Sequence, residues 1–264
     1  MKDKLIEWLR LPQAKGISSL DDPGATLIHA QIIRQKKFLY QVYKDFYRRF
    51  AIMLGPLSGG EVIVELGSGG GFIKEVLPSV VTSDILQIPK VDVCFSGQSI
   101  PFGDQSVSAF LMIDVFHHIK DPSMFLKELE RCLKPGGRVM MIEPANTLWA
   151  RFIWTNFHHE NFDRKADWQI EGSGPMSDAN GALPWIVFCR DRQRFLDTFG
   201  SFSIDSIRAH TPFCYLISGG LSMKQMLPSF SYSFIKILEV ILIPFNRWLG
   251  MFYTIQLSKQ GRSF

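Results

Sequence analysis

Val62-Ile63-Val64-Glu65-Leu66-Gly67-Ser68-Gly69-Gly70-Gly71-Phe72 is the stretch that decides how this chain folds. A short apolar run ends on an acid and opens into a cluster of glycines. The apolar run reads as a buried strand. The glycines let the backbone pass close against a ligand, because no Cβ stands in the way. In an open parallel sheet, the first strand-to-helix turn is where a nucleotide-like ligand sits. A dinucleotide fingerprint starting at Gly67 would need Gly or Ala at position 72, where Phe72 stands. A pyrophosphate cradle therefore fits poorly, and the G-x-x-x-x-G-K-[ST] phosphate loop is absent.

Outward from this stretch, short apolar runs alternate with helical ones. Val80–Asp84, Val91–Phe95 and Val107–Ile113 read as the second to fourth strands, the last continuously apolar as strands covered on both faces are. A helix is predicted near Phe72–Leu77 and another over Met124–Leu133, stopped by Lys134-Pro135-Gly136-Gly137, with a fifth strand over Arg138–Ile142. Asp191–Phe199 reads as a helix, and Phe202–Arg208 and Phe252–Leu257 as the last strands. The expectation is an α/β fold, a Rossmann-like, seven-stranded, mostly parallel sheet with helices on both faces. Residues 1–60, helical in pattern over Ile28–Leu54, are expected to form an N-terminal helical cap on a domain spanning 61–264. Residues 145–190 and 210–250 are expected to be substrate-side insertions late in the sheet.

Glu65 through Gly71 resembles the first motif of the class I S-adenosylmethionine-dependent methyltransferases. Asp84 closes the second strand, where that family has an acid binding two ribose hydroxyls. Ile100-Pro101-Phe102 and Val107–Ile113 resemble the approach to the family's fourth strand. His117-His118-Ile119 through Leu133-Lys134-Pro135-Gly136-Gly137 is similar to the branch that includes the ubiquinone- and menaquinone-type enzymes. The resemblance covers about residues 60–143. It implies S-adenosylmethionine as cofactor, S-adenosylhomocysteine as product, and methyl transfer to a small-molecule or lipid-linked acceptor. A binding protein that keeps the cofactor pocket without turnover is the rival reading. The cofactor residues so implied are Glu65, Gly67, Ser68, Gly69, Gly71, Asp84 and Asp114. The family's adenine-binding acid is replaced here by Ser96 or Gln98.

The 264 residues are 46% apolar and 20% charged, which excludes disorder for most of the chain. A net charge of +4 is too mild for a nucleic-acid partner, and the N/D-P-P-Y/F motif of amino-methylating DNA enzymes is absent, Asp114-Val115-Phe116-His117 standing in its place. Cys94, Cys132, Cys189 and Cys214 are widely spaced, arguing against a disulfide framework and for a reducing compartment. The first fifteen residues lack the apolar core of a secretory signal, so a cytoplasmic location is expected.

Methyl transfer to a hydroxyl needs near-attack geometry and a base. Asp114, His117 and His118 follow the fourth strand, where such sheets place their chemistry. A second set lies in His158-His159-Glu160, with His159 and Glu160 as candidate substrate-lining residues. Asp114, His117 and His159 are the catalytic candidates, although a packed helix-start residue accounts equally for His117. No metal is expected, because adjacent histidines in a loop point apart and spacing fixes no third ligand. His29, Lys37, Tyr40 and Tyr43 on the N-terminal helices are placed with the late insertions as a lid over the site.

Ser233–Met251 carries Lys236, Glu239 and Arg247 on one stripe among apolar residues, broken at Pro244. With basic neighbours Lys224, Lys259 and Arg262, this suggests membrane-surface contact through 222–250, at the inner face of a membrane, or a tunnel for a lipid-like acceptor. An ordinary buried helix or a dimer contact is the competing reading.

Overall fold

The computed structural model describes residues 7–17, 19–172 and 174–261. Arg262 and the first six residues lie outside them. Seven strands form one sheet: β1 (Ile63–Leu66), β2 (Val81–Asp84), β3 (Val93–Cys94), β4 (Val107–Ile113), β5 (Leu133–Pro144), β6 (Phe202–His210) and β7 (Phe252–Lys259), in the order β3-β2-β1-β4-β5-β7-β6. β1 pairs parallel with β2 and β4, β2 with β3, and β4 with β5, whereas β7 runs antiparallel to both neighbours. This is the Rossmann-like architecture expected.

Successive residues of the central strands point to opposite faces, and both faces are apolar. Ile63, Ala109, Leu111, Met140 and Ile142 face one core, while Val64, Phe110, Met112, Val139 and Met141 face the other. That double burial explains why these strands show no hydrophobic–polar alternation.

α1 (Pro23–Gln35), α2 (Lys37–Leu54) and α4 (Leu148–Phe157) cover the first face, where Cys214 and Ile235 join the same core, whereas α3 (Pro122–Cys132) and α5 (Arg192–Thr198) cover the second. Asp22 caps α1 through Gly24 N–H, and Asp121 caps α3 through Met124 N–H. The predicted N-terminal helix is divided at Lys36, whose ammonium donates to the carbonyls of Gly220 (2.6 Å) and Met223 (2.7 Å).

The predicted helix at Phe72–Leu77 is reduced to one 3₁₀ turn, Ile73–Glu75. No helix stands between β2 and β3 or between β3 and β4 among the described residues. The β2–β3 connection, residues 85–92, is shorter than the dozen or more residues of an ordinary crossover. α2 buries Phe38, Leu39, Val42, Phe46, Tyr47 and Phe50 in the same core as Ile63, Phe72, Ile73 and Leu77. Each such side chain contributes about 1.5–3 kcal/mol relative to exposure. The segment expected as a cap is thus in large part a layer of the fold.

A further difference lies at Lys134–Gly137. These residues sit inside β5 at a register shift, with Gly136 at φ 77°, instead of separating helix from strand.

Candidate active site

Because β1 lies between β2 and β4, the chain leaves the sheet in opposite directions on its two sides, creating a crevice beyond the carboxyl ends of these strands. The glycine turn occupies it. Gly67 (φ 62°) and Gly69 (φ 45°) adopt the left-handed region that glycine tolerates without cost. A Cβ on Gly67 would lie 2.5 Å from Val115 Cγ2. Gly69 N–H donates to Asp84 Oδ2 and Leu86 N–H to Asp84 Oδ1, each at 2.9 Å. Both carboxylate oxygens keep a lone pair for a further donor. Burial raises the Asp84 carboxyl above its usual range, against the N–H groups of Leu86 and Gly69.

A cavity of about 250 Å³ opens at this point. Gly67, Gly69, Asp84, Ser96, Gln98 and Asp114 all line it, together with Ile85, Phe95, His118, Ile119, Thr26 of α1 and Met176. Glu65, Ser68 and Gly71 stand behind the wall. Ser68 N–H donates to the Ser83 carbonyl at 2.8 Å, and Gly71 leaves room for Tyr47, whose hydroxyl would lie 2.3 Å from an added Cβ. Burial pushes the Glu65 carboxyl up to about 7, against hydrogen bonds from Ser68 and Tyr47. These residues fit an adenosyl sulfonium: glycine backbone for close approach, a buried acid for a diol, and Ser96 and Gln98 for a heterocycle edge.

Asp114 follows β4 at φ 55°, a left-handed backbone that Asp tolerates better than most residues. Burial pushes its carboxyl up to about 8; His117 opposes this, while Glu143 and Glu160 add to it. Beside it, Tyr43 is raised by burial and then by the Asp114 charge. His117 is not on the cavity wall. It is buried, with Nδ1 2.7 Å from Glu143 Oε2 and Nε2 3.4 Å from Glu160 Oε2. Burial disfavours its charged form, yet the two carboxylates hold it well above the usual imidazole value. His118 is pushed down to about 4 by burial and by His117.

The loop histidines do not stand apart from other ligand-type residues. His117, His118, His158 and His159 surround the Glu160 carboxylate at 3.4–3.8 Å. The expectation of no fixed third ligand considered 158–160 alone; the fold supplies His117 and His118 from the end of β4. Of the N-terminal lid candidates, Tyr40 turns to Glu75 and stacks on Phe72, while Tyr43 faces Asp114.

Glu143 is the residue that sequence reasoning missed. It ends the run Val139-Met140-Met141-Ile142, is fully buried, and accepts from Val115 N–H (2.9 Å) and Phe116 N–H (2.7 Å). A lone acid closing an apolar strand was the available signal.

Fold, glycine turn and acid-ended second strand together define a class I S-adenosylmethionine-dependent methyltransferase. Residues 64–141 match a family model described as a methyltransferase domain. An uncharacterized 37.1 kDa protein of a Streptomyces fradiae transposon is 32% identical over 116 residues, 36% of this chain. The chain spans about a third of that curated relative, since the match covers 34% of it. An S-adenosylmethionine-dependent methyltransferase from Thermotoga maritima is similar with a TM-score of 0.50 and 14% identity, over 88% of this chain and 99% of that one. Phosphoethanolamine N-methyltransferase 2 of Haemonchus contortus, solved with phosphomonomethylethanolamine and S-adenosylhomocysteine, is similar with a TM-score of 0.45 and 13% identity, over 83% of this chain and 53% of that one.

Proposed function

We propose that this chain transfers the methyl group of S-adenosylmethionine to a lipid-linked acceptor met at a membrane surface. The cofactor, when bound, supplies a methyl group made electrophilic by its sulfonium. Asp84 would accept from the ribose hydroxyls, Ser96 and Gln98 would meet the adenine edge, and the Gly67–Gly69 backbone would lie against the ligand. Glu65, Ser68 and Gly71 would hold that turn in shape. Asp114 on the wall and His159, half-exposed beside Glu160, are the groups that could take a proton from the acceptor. His117 would act as a positioning residue behind them.

One observation carries the choice of acceptor: α6 (Tyr232–Ile241) is inside out. Its acid Glu239 is 5% exposed and accepts from Phe213 N–H (2.9 Å) and Cys214 N–H (2.8 Å), and Lys236 reaches inward to Asp45 at 3.1 Å. Ile235 is buried beside it, but most of the helix's apolar residues face outward, Phe234 70% and Ile241 66% exposed, joined by Phe230 at 87%. The patch continues through Ile243 and Phe245 to α7 (Asn246–Leu249), which packs against α4 where Leu148 and Phe152 are exposed. Exposed apolar surface on this scale marks an interaction site.

The charges beside the patch suit an anionic lipid surface. Arg247 lies 3.6 Å over the Trp248 ring, and a shallow groove beside Leu148 and Phe152 holds Arg151, Arg164 and Lys165. Lys236 and Lys259, counted earlier as basic excess, are turned to the protein itself. No single helix among the described residues is long and apolar enough to cross a membrane, and the two segments Ser229–Ile241 and Ile243–Leu249 are bent by 64°. The proposal is therefore for a helix pair lying in the interface plane.

The test is flotation with vesicles containing anionic lipid, followed by homocysteine release with lipid-linked and water-soluble acceptors. Binding to vesicles, with turnover confined to lipid-linked acceptors, supports the proposal. A chain that never floats, or that methylates only soluble acceptors, overturns the membrane reading. Cofactor binding without turnover on any acceptor would favour the inactive binding protein instead.

A further inference from the structure

We propose that Nε2 of His117, Nε2 of His118 and the Glu160 carboxylate hold a divalent transition-metal ion of the zinc type. The three residues come from two distant parts of the chain, the end of β4 and the 158–160 loop, and are brought together only by the fold. One ligand atom from each lies within 4.8 Å of the others.

The spacing separates a metal site from an ordinary ion pair. Charge-assisted hydrogen bonds between nitrogen and a carboxylate run at roughly 2.7–2.9 Å. Here the Nε2-to-carboxylate distances are 3.4 Å from His117 and 3.8 Å from His118. Ligands on a tetrahedral ion with bonds of about 2.0–2.1 Å stand about 3.4 Å apart.

A second observation fixes which nitrogen is offered. Glu143 accepts the N–H groups of Val115 and Phe116, and its Oε2 meets His117 Nδ1 at 2.7 Å. That pairing assigns the ring hydrogen to Nδ1 and turns the Nε2 lone pair toward Glu160. A carboxylate behind a histidine, orienting its metal-binding nitrogen, is the usual support of such a ligand. The cation between Nε2 and the Glu160 carboxylate is then either a metal ion or a proton on Nε2, and the longer spacing favours the metal ion.

His158 takes no part through Nδ1, which accepts the Glu160 N–H at 3.3 Å. Two imidazoles and one carboxylate leave coordination positions open, as in catalytic sites. His118 also lines the cofactor cavity, so an oxygen of the acceptor could take an open position beside the methyl donor. This last role rests on the methyltransferase reading; the metal site itself does not.

The experiment uses the full chain, stripped with a chelator and titrated with cobalt(II) and zinc(II). One ion should bind per chain, with the visible spectrum of nitrogen and oxygen ligands and no thiolate charge-transfer band. Glu143→Gln should weaken binding by about 10- to 100-fold. Glu160→Gln and His118→Ala should weaken it further, near-ultraviolet circular dichroism verifying that each variant is folded. Glu143→Gln serves as the second variant if Glu160→Gln does not fold. Absence of saturable binding, a thiolate spectrum, or affinity unchanged in the folded variants overturns the proposal in favour of a proton shared between His117 and Glu160. None of these readouts needs a methyl donor, so their failure leaves the methyl-transfer reading untouched.

Discussion

Replacing Asp84 by alanine separates two duties that the carboxylate performs. Toward the cavity it offers two oxygens to a diol. Hydrogen bonds to a charged group contribute about 1.5–3 kcal/mol, so their loss should weaken S-adenosylmethionine binding by roughly 10- to 150-fold. Toward the protein it accepts from Gly69 N–H and Leu86 N–H. An orphaned buried N–H costs about 1–3 kcal/mol, though water entering the vacated space recovers part of it. The variant should therefore melt several degrees lower as well. Isothermal calorimetry with S-adenosylmethionine and with S-adenosylhomocysteine reads the first effect, and the loss should be similar for both because they share the ribose. Calorimetry with 2′-deoxy analogues provides the cross-check, since the variant should no longer discriminate against them. An unchanged dissociation constant in a variant that melts lower would refute the ligand role and leave Asp84 as a clasp for the turn.

Other expectations follow from neighbouring contacts. Glu65 is pushed up to about 7 from an ordinary 4.5, so its burial costs nothing below pH 4.5 and progressively more as pH rises through 7. The ligand-free protein should lose on the order of 3 kcal/mol from this group by pH 8, and Glu65→Gln should flatten the fall in melting temperature between pH 5 and 8; an equally steep fall in the variant would show that Glu65 is not its source. Gly71→Ala sets a Cβ 2.3 Å from the Tyr47 hydroxyl and 2.8 Å from the Ser68 carbonyl, which should cost about 1–3 kcal/mol by chemical denaturation. Adding Tyr47→Phe should return part of that loss, and strictly additive effects would contradict the stated clash. Serine at Phe230, Phe234 and Ile241 together should abolish vesicle flotation while leaving the melting temperature within a few degrees; persistence of flotation would move the lipid contact elsewhere. Glu239→Ala uncovers two backbone donors and the inward Lys236, and should lower stability by about 2–4 kcal/mol in a urea titration.

How much of this was legible beforehand differs by element. The central strands announced themselves because double burial makes them continuous apolar runs, and Val107–Ile113 matches its predicted limits residue for residue. The helix predicted after the glycines did not form because its apolar residues, Phe72, Ile73 and Leu77, belong to the core shared with α2. Local periodicity reports that a residue is buried, but not by which segment. The glycine turn and Asp84 were legible because both lie within one strand–turn–strand unit, where spacing along the chain translates into spacing in space. The ring of histidines around Glu160 was not, since it joins residues about forty positions apart through a loop without periodicity. The inward turn of Glu239 was equally hidden. A stripe of charge on a helix ordinarily faces water, and only the N–H groups of Phe213 and Cys214 explain the reversal.

The core that α2 shares with β1, β4 and β5 has a consequence for how the molecule is made. Residues 37–54 are synthesised before any strand of the sheet, carrying a stripe of aromatic side chains whose partners are still to come. Their partners in β4 and β5 follow about 90 residues later, a delay of roughly 5–18 s at common elongation rates of about 5–20 residues per second. During that interval the nascent helix is a target for chaperones or for its own neighbours on a polysome. A fragment starting at residue 61 inherits the converse defect, a sheet face that has lost α1 and α2 and keeps only its later helices, and should emerge as inclusion bodies.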